Sequence, residues 1–220
     1  MIYICTHTDF VLPKSDLLRG DYRVISDKPL QSTYNNKLIV ANNELRDLSY
    51  AYAEGYMIRD IFEKSNDEWV GINHYRRYFK DLELNRNTIP IPFNFNMNSQ
   101  YQECHNINDL LECEKIIDEF FPMFKLDYKK IDILYPCNMF LFNRDIFNRY
   151  CDFVFKVLEI FNRQHGFKTD KDVLCYKNGD KYQARLQGFL MERIGTIFFI
   201  NEFSNKEISK KKIIVTGEKK

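Results

Sequence analysis

The chain has 220 residues, 45% hydrophobic and 15% aromatic, enough for the core of one domain and too apolar for a disordered chain. Its 32 basic and 31 acidic residues leave a formal charge of +1, so no global field draws it to nucleic acid or an anionic membrane, and any anion recognition must be local. No stretch approaches the roughly 20 apolar residues of a spanning helix, and residues 1–7 lack the basic and apolar blocks of a signal peptide, which predicts a cytoplasmic chain with at most peripheral membrane contact.

Residues 2–5 are an apolar run closed by Thr6-His7-Thr8-Asp9, the pattern of a buried strand that delivers a loop. A second strand is expected at 22–26, followed by the turn residues Asp27-Lys28-Pro29. From Asn42 or Asn43, with Glu44 in the first turn, the stripe Leu45, Leu48, Tyr52, Met57, Ile58 and Ile61 predicts one helix to about Phe62. Residues 69–72 read as a short strand that ends directly in His74-Tyr75-Arg76-Arg77. Residues 85–100 mix Asn, Pro and Phe without period and read as a surface loop. Asn108 is the expected cap of a helix that stops near Phe121-Pro122, and strands are expected at 131–135 and 138–142.

The clearest helical period follows Asn143, from Ile146 to Phe161. A polar loop containing Gly166 and Gly179 leads to a last helix from about Ala184 to Ile200, and the basic segment 206–220, with Lys210-Lys211-Lys212, reads as a flexible tail. Strands alternating with helices predict an α/β domain with a mainly parallel central sheet and flanking helices, which binds ligands at the carboxyl ends of its strands. Six cysteines show neither a C-x-x-C pair nor regular spacing and read as reduced, mostly buried thiols; Cys104, His105 and Cys113 lack a fourth ligand and match no zinc pattern.

Gly71-Ile72-Asn73-His74-Tyr75-Arg76-Arg77-Tyr78-Phe79 resembles the G-x-x-H-Y-R-R-Y-F signature of a domain family of unknown function found in capsular-polysaccharide and O-antigen glycosyltransferases, including galactofuranosyl-transferring enzymes. Four further segments resemble the family's motifs in the same order: Tyr101-x3-His105-x3-Asp109-Leu110, Asn138-Met139-Phe140, Tyr150-Cys151-x-Phe153, and Arg185-x2-Gly188-Phe189-Leu190-x-Glu192-Arg193. The resemblance implies a single Rossmann-like, nucleotide-sugar-binding domain of the glycosyltransferase A type. It would span about 1–205, with a nucleotide-binding half at about 1–82 and an acceptor-side half at about 100–205. Asn73 stands where Cys is common in the family, and the chain stops soon after the last helix whereas larger members carry a second domain, which leaves open a partner transferase.

A sugar-nucleotide transferase must stabilise a departing diphosphate, and many do so with a metal held by an Asp-x-Asp pair at a strand end. Here that position carries His74, Tyr75, Arg76 and Arg77, whose cations and donors can grip phosphate oxygens in place of a metal; the alternative is surface salt bridges, with Tyr75 and Tyr78 packing inward. No cofactor is expected, although Mn or Mg is not excluded. Asp170-Lys171-Asp172 lies in an apparent loop without a leading strand, the wrong context for a metal carrier.

The acceptor hydroxyl of an inverting transfer needs a base. Glu192 is the first candidate, one turn into a helix opened by Gly188, whose missing side chain would let a ligand approach, with Arg193 to hold it ionised; the alternative is an ordinary surface ion pair. Tyr101, His105 and Asp109, spaced four apart, would share one helical face, so His105 and Asp109 are reserve bases or hydroxyl-binding groups, or a half-buried ring beside a cap. Asp132 is a further reserve, and Asn138 and Arg185 join Tyr101, Gly188 and Arg193 as sugar-contact candidates. Thr6 and His7 after the first strand, and Asn43-Glu44, which resembles the family's N-E, are the nucleoside candidates; a strand-end hydroxyl bond for Thr6 and a plain cap for Asn43 are the alternatives.

The donor expected is a UDP-linked hexose, galactose favoured, and the acceptor a lipid-linked or oligosaccharide glycan. The rival class is a non-catalytic anion or single-stranded nucleic-acid module using His74 to Arg77, for which a near-neutral chain with one short cluster offers a poor electrostatic track.

Overall fold

The continuous apolar run of the first strand supplies buried side chains to both faces of the sheet. In the structure, a computed structural model that describes residues 1–13, 17–18, 20–124 and 126–216, strand β1 (Ile2–Thr6) is buried along its whole length. Tyr3 and Cys5 join the larger core, while Ile2 and Ile4 face two smaller clusters, the period of two that a pleated strand imposes. β1 pairs in parallel with β2 (Tyr22–Ser26) and with β4 (Trp69–His74), and β2 with β3 (Leu38–Val40).

Beyond β4 the sheet turns mostly antiparallel. β7 (Phe140–Asn143) runs against β4, and β6 (Thr88–Pro90) runs against β7 and parallel to β8 (Ser209–Lys211). β5 (Arg77–Phe79) folds back on β4 and pairs with β9 (Ile213–Val215). The sheet order is β3-β2-β1-β4-β7-β6-β8. The parallel half therefore matches the expectation, and the mainly parallel description stops at β4.

Helices α1 (Ser49–Tyr52), α2 (Glu54–Lys64), α4 (Ile107–Phe120), α5 (Arg144–His165) and α7 (Leu186–Glu202) bury their apolar faces against Tyr3, Ile25, Val70, Ile72, Phe140 and Phe142 in the larger core. Each fully buried side chain of this size contributes roughly 1.5–3 kcal/mol, so this face supplies most of the driving force. No helix among the described residues is long and apolar enough to cross a membrane.

Several expectations need correction. The helix from Asn43 to Phe62 is instead a 3-10 turn (Arg46–Leu48), then α1 and α2, interrupted at Ala53, which takes φ 51°; alanine carries no sequence mark of such a break. The loop at 85–100 contains β6 and the start of α3 (Met97–Cys104), capped by Asn96. Asn106, not Asn108, caps α4, whereas α5 starts after Asn143 as expected, with that residue as its cap. Residues 131–135 form only a single bridge, Leu134 to Phe93, because the run is spent on burial rather than on a ladder. The polar stretch after Gly166 holds α6 (Asp170–Tyr176). The expected flexible tail supplies β8 and β9; its lysines are what an edge strand carries, and residues 217–220 lie outside the described ones.

Candidate active site

Parallel pairing of β1 and β4 puts Cys5 opposite His74, and Tyr75 N–H donates to the Cys5 carbonyl at 3.0 Å, so Thr6-His7 and His74-Tyr75 emerge side by side at the strand ends. Asp27 follows β2 at the same edge. Into this edge the break at Ala53 aims Glu54, the first residue of α2, where the helix dipole favours a carboxylate. Glu54 Oε1 lies 3.4 Å from His74 Nε2 and 3.6 Å from His7 Nε2, and its Oε2 3.6 Å from Arg185 Nη2. His7 Nδ1 meets Asp27 at 3.1 Å.

These contacts set charges. Burial opposes ionisation of Glu54, but the hydrogen bonds and charges of His7 and His74 overcome it and hold the carboxyl well below its usual range. Burial also opposes charge on His7, and Asp27 with Glu54 outweigh it, raising the ring to about 9. His74 goes the other way: burial lowers it, and Arg77 and Arg76 add to that against the pull of Glu54. Arg76 N–H donates to His74 Nδ1 at 3.1 Å, so neutral His74 carries its hydrogen on Nε2, facing Glu54. The cluster is one imidazolium, one imidazole and a shared carboxylate.

Half-buried Arg76 and Arg77 leave this edge with no carboxylate salt bridge among the described residues. The Arg76 guanidinium lies 4.9 Å from the centre of the Tyr75 ring, which itself stacks on His74 at 4.3 Å, while Tyr78 is buried and donates to the Tyr75 carbonyl. A cleft of about 790 Å³ elsewhere is lined by Glu44, Arg59, Lys156, Glu159 and Arg163. There Arg59 is paired with Glu44 and Glu63, and Glu159 with Lys156 and Arg163. That cleft offers Lys168 as its one cation without a described ion pair, whereas two such guanidinium groups stand together at the strand ends, and a diphosphate is gripped by cations not already paired.

Glu192 stands across the same edge. Its Oε1 accepts from Cys137 N–H at 2.8 Å and its Oε2 from Arg193 Nη1 at 2.9 Å. Burial raises its pKa above the ordinary carboxylate value; Arg193, the Cys137 bond and Arg77 oppose the rise, and Glu54 adds to it. Arg193 is buried, held also by the Phe189 carbonyl and Gln100 and seated over the Tyr101 ring, so it orients Glu192 rather than forming a surface pair. Cys137 and Asn138 take φ 73° and 50° in succession, strain of a kind that clusters at functional sites; the buried Asn138 Oδ1 has no partner among the described residues.

Other candidates fall elsewhere. Thr6 is fully buried and donates to the Thr8 carbonyl, the strand-end hydroxyl bond. Asn43 spends both ends of its amide, on the Tyr56 carbonyl and Leu45 N–H, and Glu44 is exposed on Arg59. Tyr101, His105 and Asp109 do not share a helical face: α3 ends at Cys104 and His105 is extended before α4 begins. Asp109 is fully buried, ion-paired with Lys177 and accepting from Tyr176, and is structural. Tyr101 is buried beneath Arg193, and Asp132 is exposed, accepting from Asn96. Asp170 accepts from Tyr50 and Ala51 N–H at the start of α1, and Asp172 completes a capping box with Thr169, so this Asp-x-Asp does not fit a metal carrier.

Gly188 serves packing, not ligand approach. A Cβ there would lie 3.1 Å from Ala53 Cβ and 3.3 Å from the Tyr52 carbonyl oxygen. The glycine lets α7 press on the Ala53 break that aims Glu54. Gly188→Ala is expected to cost about 1–3 kcal/mol through overpacking, read as a lower midpoint in thermal denaturation; an unchanged midpoint would show that the contact relaxes freely.

Glu54, Asp27 and Cys137 were not legible as site residues. Glu54 reads as mid-helix; the nearest signal is Gly55 inside an apolar stripe, a residue that interrupts helices.

Parallel strands whose carboxyl ends carry this cluster, extended by antiparallel strands, define an α/β fold shared with a glycosyltransferase structure. The apo structure of WbbM, a bifunctional glycosyltransferase, is similar to this chain with a TM-score of 0.76 at 14% sequence identity, covering 99% of this chain and 45% of that one. The chain thus spans less than half the length of that structure. It belongs to the family described as "Domain of unknown function (DUF4422)", which matches residues 83–203. That match takes in Asn138, Arg185, Gly188, Glu192 and Arg193 and begins beyond Phe79, so His74 to Arg77 lie outside it. No curated protein matches the chain.

Proposed function

We propose that the chain is an inverting glycosyltransferase that moves a hexose, galactose in furanose or pyranose form favoured, from a UDP-linked donor to a growing surface polysaccharide at the cytoplasmic face of the membrane. The observation that carries this reading is the pair Arg76 and Arg77, unpaired with any described carboxylate at the carboxyl ends of parallel strands. In this reading the two guanidinium groups take the charge of the leaving diphosphate, without a metal. Glu192, its pKa raised by burial, removes the proton of an acceptor hydroxyl. That oxygen forms the new bond to the anomeric carbon as the bond to the diphosphate oxygen breaks and UDP leaves. Arg193 and the Cys137 N–H hold the base in position.

The test is calorimetric titration with UDP, with and without manganese. Each of Arg76→Ala and Arg77→Ala is expected to weaken binding by about 10- to 150-fold, the loss of a charged hydrogen bond worth roughly 1.5–3 kcal/mol, at an unchanged melting temperature. Unchanged affinity in both variants removes the diphosphate role, and binding that needs manganese removes metal independence.

A further inference from the structure

Arg185, at the start of α7, is followed along one face by Phe189 and Glu192. The Phe189 ring stacks on His105 at 4.2 Å and lies 5.1 Å from Tyr182, with the Arg185 guanidinium 5.8 Å away. Arg185 also reaches Glu54 at 3.6 Å, so this aromatic cluster borders the strand-end centre. Tyr182 is 57% exposed, an aromatic that core packing does not explain.

The cluster is held in place by polar contacts. Asp180 accepts from Tyr182 N–H and Gln183 N–H, and the Tyr50 hydroxyl donates to the Lys181 carbonyl. Gln183 donates its amide hydrogen to the Cys104 carbonyl at 2.9 Å, which leaves its Oε1 to accept from His105 Nδ1 at 2.8 Å. The hydrogen of His105 is therefore on Nδ1, and Nε2 presents a lone pair with no partner among the described residues. Burial lowers the pKa of this ring, with Arg193 and Lys177 adding to the effect and Gln183 and Asp109 opposing it, which favours the neutral form. On its other side His105 lines a cleft of about 430 Å³ whose walls add Asn106 and Asn178, within the size range of small-molecule sites.

We propose that Tyr182, Phe189 and His105 form a saccharide-binding platform for the acceptor, stacking the C–H face of a pyranose on the two aromatic rings and accepting one of its hydroxyl hydrogens at His105 Nε2. A hexose has apolar C–H patches and a polar rim; the exposed Tyr182 ring, with half-buried Phe189 beside it, removes the first from water while leaving the second hydrogen-bonded. Phe189 lies three residues before Glu192 on α7, so a sugar on the platform would sit on the side of the helix that carries the proposed base. This inference rests on the glycosyltransferase reading for the word acceptor, not for sugar binding itself.

The experiment is saturation-transfer NMR with the methyl glycosides of galactose, glucose and mannose, run beside UDP calorimetry on the wild type, Tyr182→Ala and Tyr182→Phe. Ring protons of at least one glycoside are expected to saturate in the wild type and in Tyr182→Phe. In Tyr182→Ala the signal should fall about 5-fold, with UDP affinity the same in all three proteins. Equal saturation in Tyr182→Ala, or none in a wild type that binds UDP, overturns the platform. Saturation that depends on Tyr182 in a protein that does not bind UDP keeps the platform and removes the transferase reading.

Discussion

Glu192→Gln is expected to reduce sugar transfer by roughly 10²- to 10⁴-fold, the usual contribution of a positioned general base, with UDP affinity close to wild type and a lowered melting temperature, because buried Arg193 loses its carboxylate partner. Glutamine keeps the acceptor for Cys137 N–H and the volume of the side chain, while the proton acceptor and the ion pair to Arg193 Nη1 are lost. The pH profile supplies a second readout. Burial raises Glu192 above the ordinary carboxylate value, so the acidic limb of kcat/KM belongs above the roughly 4.3 of a free glutamate, and it disappears in the variant. Full activity in Glu192→Gln, or an acidic limb that survives it, assigns the base to another group.

The second large effect is on folding. Glu54→Ala removes the carboxylate shared by His7, His74 and Arg185. Breaking a buried charge cluster by deleting one partner costs roughly 3–5 kcal/mol, and the ability of His7 to lose its proton puts this case near the lower figure. Chemical denaturation of wild type and variant measures it; a difference near zero would mean that the cluster contributes nothing to stability.

The same cluster gives the wild type a pH dependence of determined sign. His7 is raised from 6.5 to about 9, so its contribution is complete below pH 6.5 and is lost as pH rises through about 9. Glu54 is held well below 4.5, so its contribution is present above that pH and is lost in acid. Stability measured from pH 6 to 10 should therefore decline on the alkaline side, and the part of that slope due to His7 should shrink in Glu54→Ala.

Elements whose apolar pattern is strict were legible. The buried run of β1, the long period of α5 with its Asn143 cap, and α7 follow from residue spacing alone. Elements decided by partners were not. β8, Ser209–Lys211, carries two lysines and no strand pattern, and β9, Ile213–Val215, is an apolar run of only three residues inside a lysine-rich segment, yet they pair with β6 and β5, because an edge strand takes its order from its neighbour's backbone groups.

The candidate site divides in the same way. His74 to Arg77 stand out because two cations and two aromatic rings follow a strand, and Glu192 because it lies beside Arg193 near a helix start. Asp109 and Asn43 also looked available, but Asp109 is paired with Lys177 and Asn43 with Tyr56 and Leu45, contacts between segments that spacing does not reveal.

The order of residues alone carries the alternation of strands and helices, the position of the basic-aromatic cluster at a strand end, and the lack of any long apolar span. It took the fold to show that Ala53 breaks a helix to aim Glu54 between two histidines, that Gly188 makes room for that break, and that the arginines at the strand ends have no carboxylate partner among the described residues while Arg59 is paired twice. The physical reason is that periodicity records which face of an element is buried, whereas a site is made of charges brought within about 4 Å by segments distant in the chain, where burial and pairing set their protonation.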